Sequence, residues 1–326
     1  MKEYFVSIVI PVYNAGRTIA KTIDACLNQD YPQENLEIIV VNDGSTDNTA
    51  EIIEKYPVKY IFQEKSGPAK ARNTGWKNAR GEIICFTDAD CIPPKDWIFQ
   101  ISKYYISDDV AGVGGSYEIL NPTSLLASCI HEEIVSRHLK MAKKGVTHLG
   151  SFNLSLRKSV LERIGGFNEG LKMSEDRDIS YRIAKLGWRL ILDPDIKVYH
   201  LYPTNLIKYL KQQFFRVYWL SMHCTHDAMK LVKDKYVLPA EYFQPPLFLG
   251  IVFLSLVALF FPHWWKLVLA FILLALLLQL PLVFSIIKRT KKIKYLILTG
   301  INFLRGFAWA LGGVTGIIAV MLRKRT

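Results

Sequence analysis

Residues 82–91 read EIICFTDADC: an apolar run, Ile83 to Phe86, passes within one residue into two carboxylates, Asp88 and Asp90, separated by Ala89. A strand sends alternate side chains to one face, so these acids would be repelling neighbours unless a cation or a basic side chain lay between them. Three similar runs precede this one, VSIVI (6–10), LEIIVV (36–41) and VKYIF (58–62). Continuous apolar runs of this length are the pattern of strands buried on both faces. Between them Ile19, Ile23, Cys26 and Leu27 recur at helical spacing behind Asn14 as a cap, and a second helix is expected over about 47–55. The order βαβαβαβ predicts an α/β domain with a doubly wound, mainly parallel sheet.

Such sheets bind ligands at the carboxyl ends of their strands. Two of those ends are acidic, Asp43 in VVNDGSTD after the second strand and Asp88 and Asp90 after the fourth. Neither GxGxxG nor GxxxxGK[ST] occurs in this half, so a dinucleotide fingerprint and a Walker loop are both excluded. Asp-x-Asp at a strand end has two readings. It is a common strand-to-turn junction, because Asp bonds local amides. It also suits a magnesium-type ion, which takes one or two carboxylates and leaves its other positions to water and phosphate.

Beyond Pro93-Pro94 a helix is expected at DWIFQISKYY, then a Gly-rich strand VAGVGGSYEIL, a less regular region to Lys144, a strand at HLGSFNLSLR and a helix in SEDRDISYRIAKLGW. Strands at LILD and DIKVYH follow, and PTNLIKYLKQQFFRVYWLSMH reads as an amphipathic interfacial helix carrying Lys208, Lys211 and Arg216. From Leu247 to Leu322 the chain is mostly apolar, with transmembrane spans expected at about 246–261 and 267–287. A third run, 301–322, is long enough to span, but it contains Arg305 and precedes RKRT, so it is expected either to cross or to lie at the interface. The expected domains are 1–202, an α/β domain, 203–244, an interfacial linker, and 245–326, a region of two or three spans.

Charge supports that division. Residues 1–240 carry net +3 and residues 241–326 net +9, so most of the overall +12 flanks apolar segments. The positive-inside rule expects this placement, and little basic surface remains for nucleic acid. The five cysteines are scattered and contain no CxxC pair, and the N-terminal apolar run is too short for a signal peptide. A multi-pass cell-membrane protein with its first 240 residues in the cytoplasm is expected. His223 and His226 have no matching ligand pair and stay unassigned.

In order along residues 5–190, SIVIPVYN, VVNDGSTDNT, GPAKARNTGW, FTDADC, GGFNEG and SEDRDISYR resemble the family 2 glycosyltransferases of the GT-A fold. The resemblance implies inverting transfer of a sugar from a UDP- or GDP-linked donor with Mg²⁺ or Mn²⁺. Pro11, Tyr13 and Asn14 would line the nucleotide pocket, Asp43 would reach the base or ribose, and Asp88 the ribose or sugar. Lys70, Arg72 and Asn73 fall in the nucleotide-binding ARN stretch, although Lys70 also reads as part of a solvated helix face. Asp90 would hold the metal, with His200 as a further ligand, though a lone His after a strand is also a structural residue. Asp176, with Glu175 beside it, would be the catalytic base, although acids in a first helical turn capped by Ser174 also suit the helix dipole. Gln213 and Arg216 resemble the QxxRW run of processive synthases, with Val217 where Trp is expected, and are placed on the acceptor or donor side. The membrane segment implies a lipid-linked acceptor, polyprenyl phosphate or lipid-linked glycan. The alternatives are a processive polysaccharide synthase and a catalytically inactive scaffold or nucleotide-sugar-binding protein.

Overall fold

The computed structural model describes residues 3–144, 146–223, 236 and 239–323, so His226 lies outside the described residues. The chain divides into two compact units, Met1–Asn121 with His138–Tyr202, and Pro122–Arg137 with Pro203–Thr326.

The first unit is built on β1 (Val6–Val12), β2 (Leu36–Asp43), β3 (Lys59–Gln63) and β4 (Ile83–Thr87), the four apolar runs of the sequence. The sheet continues with β5 (Cys91–Ile92), β6 (Val110–Ile119), β7 (Asn153–Arg157) and β8 (Arg189–His200) in the order β3-β2-β1-β4-β7-β6-β8-β5. The pairs among β1, β2, β3 and β4 are parallel, as is β6 with β8, while β7 runs antiparallel to both β4 and β6. The sheet is therefore mixed, parallel in the half that the motifs mark and interrupted at β7. LILD and DIKVYH form one strand, β8, which carries Pro194 through its centre.

Helices α1 (Ile19–Leu27), α2 (Thr49–Ile53) and α3 (Pro68–Lys77) connect the first four strands, and α4 (Trp97–Ser102) follows β5. Ile19, Ile23 and Cys26 of α1 and Trp97, Ile98 and Ile101 of α4 join Ile8, Ile10, Val40 and Cys85 of the strands in one buried core. On α3, Gly75 lies so close to β1 that a Cβ would come within 2.2 Å of Val9 Cγ1, so only glycine allows this helix to seat. Asn14 does not cap α1, which starts five residues later behind Thr18. The irregular region expected up to Lys144 is instead the helix α5 (Leu125–Lys144), whose residues up to Arg137 belong to the second unit. Its apolar positions are spread among charged ones, which hides the helical period. Helices α6 (Lys158–Ile164) and α7 (Glu175–Lys185) complete the first unit.

The second unit holds α8 (Leu206–His223), α9 (Pro239–Phe260), α10 (Trp265–Leu277), α11 (Leu280–Thr290) and α12 (Leu298–Arg323). Three helical stretches are long and apolar enough to cross a membrane, Ala240–Phe260, Pro262–Thr290 and Ile293–Leu322. The middle one is broken between α10 and α11, where Pro281 enters the first turn of the new helix. Helix α8 is packed onto α12 rather than free along its length: Cβ atoms on Gly312 and Gly316 would meet the carbonyl oxygens of Phe214 and Tyr218 at 2.4 and 2.6 Å. A glycine every fourth residue lets the two backbones approach, the small-residue contact of membrane helix pairs.

Candidate active site

A cavity of about 680 Å³ opens across the carboxyl ends of β2, β1 and β4, where a doubly wound sheet places its ligand. Its wall includes Pro11, Tyr13 and Asn14 after β1, Asp43 at the end of β2, Lys65 beyond β3, Arg72 on α3, and Asp88 and Asp90 beyond β4. Chain segments dispersed over eighty residues meet here because parallel strands bring all their carboxyl ends to one edge.

At the β2 end, Asp43 is nearly buried and accepts from Gln63 Nε2 (2.7 Å), Ser66 N (2.8 Å) and Gly67 N (2.8 Å). The turn it holds needs Gly67, whose φ of +101° strains any side-chain-bearing residue. Asn14, at φ +50°, uses its Oδ1 to accept from Thr46 N (2.8 Å), and its own N–H donates to Ser45 Oγ (2.9 Å). Its side chain thus ties the β1 end to the β2–α2 turn.

At the β4 end Asp88 and Asp90 take two different partners. Arg72, 4% exposed, donates from Nη2 to Asp88 Oδ1 (2.8 Å) and from Nη1 to Glu175 Oε1 (2.7 Å). One guanidinium therefore joins FTDAD to SEDRD. Asp90 faces the other way: its Oδ2 lies 3.5 Å from His200 Nε2. Burial would raise the Asp90 pKa, but the His200 side chain outweighs it and holds the carboxyl below its ordinary range. His200 arrives there because β5 pairs antiparallel with the end of β8, setting Cys91 opposite His200.

Asp90, Cys91 and His200 place a carboxylate, a thiol and an imidazole within 4.8 Å of one another. Burial, reinforced by the charges of Asp88 and Asp90, pushes the Cys91 thiol well up, so it stays protonated and is a poor ligand. The usable donors are one carboxylate oxygen and one imidazole nitrogen, a set that fits a divalent ion with positions left for phosphate and water. The rings of Tyr117 and Tyr202 pack against His200, at 4.9 and 4.7 Å between centroids.

Glu175 and Asp176 open α7, and Ser174 before them takes φ +68° without capping the helix through its side chain. Burial raises the Glu175 pKa, Arg72 opposes it, and Asp176 adds repulsion. Asp176 is half-buried, and its Oδ1 accepts from the N–H of Arg177 (2.8 Å).

Lys70 and Asn73 do not border the cavity. Lys70 pairs with Glu169 at 3.1 Å, and Asn73 donates to Phe167 O and Glu169 Oε1, both at 2.8 Å, while its Oδ1 accepts from Phe167 N. They anchor the GGFNEG segment instead. In the second unit, Gln213 is buried and accepts from Trp309 Nε1 (3.2 Å), while Arg216 is exposed. Lys65, Thr18 and Asp47 border the cavity although the motifs did not single them out. Lys65 was reachable, since it lies two residues past the end of a third strand.

The glycosyl transferase family 2 model matches residues 7–165. The glycosyltransferase AglE of Haloferax volcanii is 31% identical over 221 residues, 65% of this chain and 71% of that protein. A protein of Methanococcus voltae named dolichyl N-acetyl-alpha-D-glucosaminyl phosphate 3-beta-D-2,3-diacetamido-2,3-dideoxy-beta-D-glucuronosyltransferase is 27% identical over 225 residues, 64% of this chain and 70% of that protein. Against other curated relatives the chain spans about half of their length, 49% in one case and 53% in another. Among solved structures, the mannosyltransferase PcManGT from Pyrobaculum calidifontis, in complex with GDP-Man and Mn²⁺, shares the fold with a TM-score of 0.60 at 21% identity, over 99% of this chain and 89% of that one. The chain belongs to glycosyl transferase family 2 and is a glycosyltransferase.

Proposed function

We propose that the chain transfers a sugar, with inversion at the anomeric carbon, from a nucleotide-diphosphate donor in this cavity to a lipid-linked acceptor at the membrane. The observation that carries the mechanism is the Arg72 bridge, which brings the acids of FTDAD and SEDRD to one place. Asp43, Tyr13 and Pro11 receive the nucleoside at the β2 end, and Asp88 the ribose or sugar at the β4 end. Asp90 and His200 would hold Mn²⁺ or Mg²⁺, and the imidazole in that pair favours Mn²⁺. When bound, the ion neutralises charge on the departing diphosphate.

Direct displacement needs a carboxylate within hydrogen-bond reach of the acceptor hydroxyl. Of the two acids that open α7, Glu175 is occupied by Arg72, which leaves Asp176 to take the proton. Glu175 and Arg72 act on that residue by fixing the start of the helix.

Three helices able to cross a membrane support a lipid-linked acceptor, as does the dolichyl N-acetyl-alpha-D-glucosaminyl phosphate in the Methanococcus voltae relative's name. Lys288 and Arg289 in the last turn of α11, with Lys291, Lys292 and Lys294 between α11 and α12, favour a cytoplasmic placement of that turn. A processive synthase is less well supported, because Gln213 is engaged by Trp309 and Val217 stands where the run would have Trp.

The test is to incubate the full chain in detergent with a panel of radiolabelled UDP- and GDP-sugars, a membrane-lipid extract, and Mn²⁺, Mg²⁺ or EDTA. Release of one nucleoside diphosphate, label in the lipid fraction and loss of both with EDTA are expected. Label confined to water-soluble product would refute the lipid acceptor, and release from no donor would refute the whole reading.

A further inference from the structure

Helices α8 and α12 run side by side in the same direction, because their contacts advance together along both. Arg305 Nη1 donates to the Tyr209 hydroxyl and Trp309 Nε1 to Gln213 Oε1, each at 3.2 Å, and Gly312 and Gly316 lie against Phe214 and Tyr218. Whatever depth α12 reaches in a bilayer, α8 reaches with it. Helix α8 has no acidic residue. It exposes Lys208, Lys211 and Arg216, none of them with an ion-pair partner among the described residues, beside exposed Ile207 and Phe215. Trp309 is near the middle of Ile293–Leu322, the stretch long and apolar enough to cross. In a crossing α12, Lys211, two residues before Gln213, would face hydrocarbon close to the bilayer centre, where an exposed cation is costly. The outer side of α12 is instead apolar, with Leu304, Leu311 and Ile318 exposed at intervals of seven. Helix α12 meets α9 over its first half: Phe248 contacts Phe303 and Phe307 edge-on, at 5.1 and 4.7 Å between ring centroids, and Ala310 joins the same cluster. Further along α9, Leu254 and Ala258 pack with Val268, Phe271 and Ile272 of α10.

We propose that α12 does not cross the bilayer: α8 and α12 lie together in the membrane interface, with Leu304, Leu311 and Ile318 among acyl chains and Lys208, Lys211 and Arg216 on anionic lipid headgroups. This rests on the proposed membrane attachment, with α9 and the α10–α11 stretch as the two crossings. Cations and an apolar stripe presented by one helix pair are the two attractions that hold a structure in an interface, charge at the headgroups and burial at the acyl boundary. Helix α12 then begins and ends on the face that carries Lys288, Arg289, Lys291, Lys292 and Lys294, so its direction no longer works against the charge bias. The close backbone contact at Gly312 and Gly316 makes α8 and α12 one unit, so the cations of the first helix set the depth of the second.

The experiment measures depth in vesicles of phosphatidylcholine with phosphatidylglycerol. The full chain with Cys224→Ser, its other four cysteines being buried, carries one spin label at a time through Leu304→Cys, Leu311→Cys, Ile318→Cys or, on α9, Val252→Cys. All four side chains are exposed, and a melting curve for each variant establishes that it folds. Depth is read from collisions of the label with oxygen and with a water-soluble nickel chelate. In a crossing α12, Leu304 and Leu311 would flank the bilayer centre and match Val252, while Ile318, about 10 Å further along, would be shallower. The expected result is one shared, shallow depth for the three α12 labels and a deep Val252 label. A Leu311 label as deep as that on Val252 would overturn the inference. A second measurement compares the association of spin-labelled phosphatidylglycerol and phosphatidylcholine with the protein. Lys208→Gln, Lys211→Gln and Arg216→Gln together should reduce the preference for phosphatidylglycerol by about fivefold or more, the effect of at least one surface cation. An unchanged preference would overturn the headgroup assignment. If the Val252 label is itself open to the nickel chelate, the membrane reading fails and the inference falls with it.

Discussion

Each unit of the molecule buries arginine between two carboxylates, and the two arrangements differ in balance. In the second unit Arg137 and Arg305 face Glu133 and Glu241. Arg137 bonds both acids, Arg305 donates to Glu133 at 2.9 and 3.0 Å and to the Tyr209 hydroxyl at 3.2 Å, and the four side chains are 4–7% exposed. Two positive charges meet two negative ones, and no charge is left for a ligand. In the first unit a single Arg72 serves Asp88 and Glu175 with Asp176 also near, and the Asp88 side chain is 36% exposed at the cavity. That cluster carries surplus negative charge beside an open space. A closed, neutral cluster ties helices together, whereas an unbalanced one that borders a cavity is arranged for something to arrive.

The comparison would break most visibly at Asp176. Asp176→Asn should cost about 10²–10⁴ in turnover, the range for loss of a general base. Melting should stay near that of the unaltered chain, and a variant with near-normal turnover would remove Asp176 from the mechanism. Arg305→Met should do the opposite. Leaving Glu133 and Glu241 to share Arg137 alone buries one uncompensated negative charge, which should cost roughly 3–5 kcal/mol of stability, read as a fall in the denaturant midpoint in detergent. Apolar replacement of Arg137, Arg305, Glu133 and Glu241 together should recover much of that loss, because no charge is then left uncompensated.

A smaller effect is expected at Arg72→Lys. Lysine keeps the charge but cannot reach two carboxylates with a planar fork, so kcat should fall by about tenfold or more with a stability change of about 1–2 kcal/mol. The smallest effect is in pH. Burial raises the Glu175 pKa, so the folded carboxyl holds its proton to a higher pH than the unfolded one. Stability from this residue is then greatest below the unfolded value and falls as pH rises through the folded value. Glu175→Gln should flatten that part of a melting-temperature profile, and an unchanged slope would show that Arg72 cancels the effect of burial.

Much of the first unit was legible in the sequence, because buried strands are written as unbroken apolar runs and each of the four strands appeared where its run was read; β3, however, lies at the sheet's edge with Phe62 exposed and is not buried on both faces. The helix α5 was not legible. Its residues are divided between the two units, and its apolar positions are interspersed with charged ones. The acids of the site were visible as residues at strand ends, yet their partners were not. Arg72 is 16 positions from Asp88 and 103 from Glu175, and no local pattern shows that one guanidinium reaches both. Asn14 and Ser174 were read as caps from residue type, and the structure uses both at positive φ, with Asn14 bonding across to another turn.

The sequence by itself determined the strand-helix alternation, the apolar segments of the second unit, and the carboxylates gathered at strand ends, since each follows from local periodicity and from the topology that periodicity implies. Only the tertiary structure decided how those carboxylates divide their work. It turned Asp88 toward Arg72 and Asp90 toward His200, and it set the Lys65 ammonium on the Tyr13 hydroxyl. A strand's two-residue period says which face a side chain leaves from, but its partner is whatever the neighbouring strands bring to the same edge.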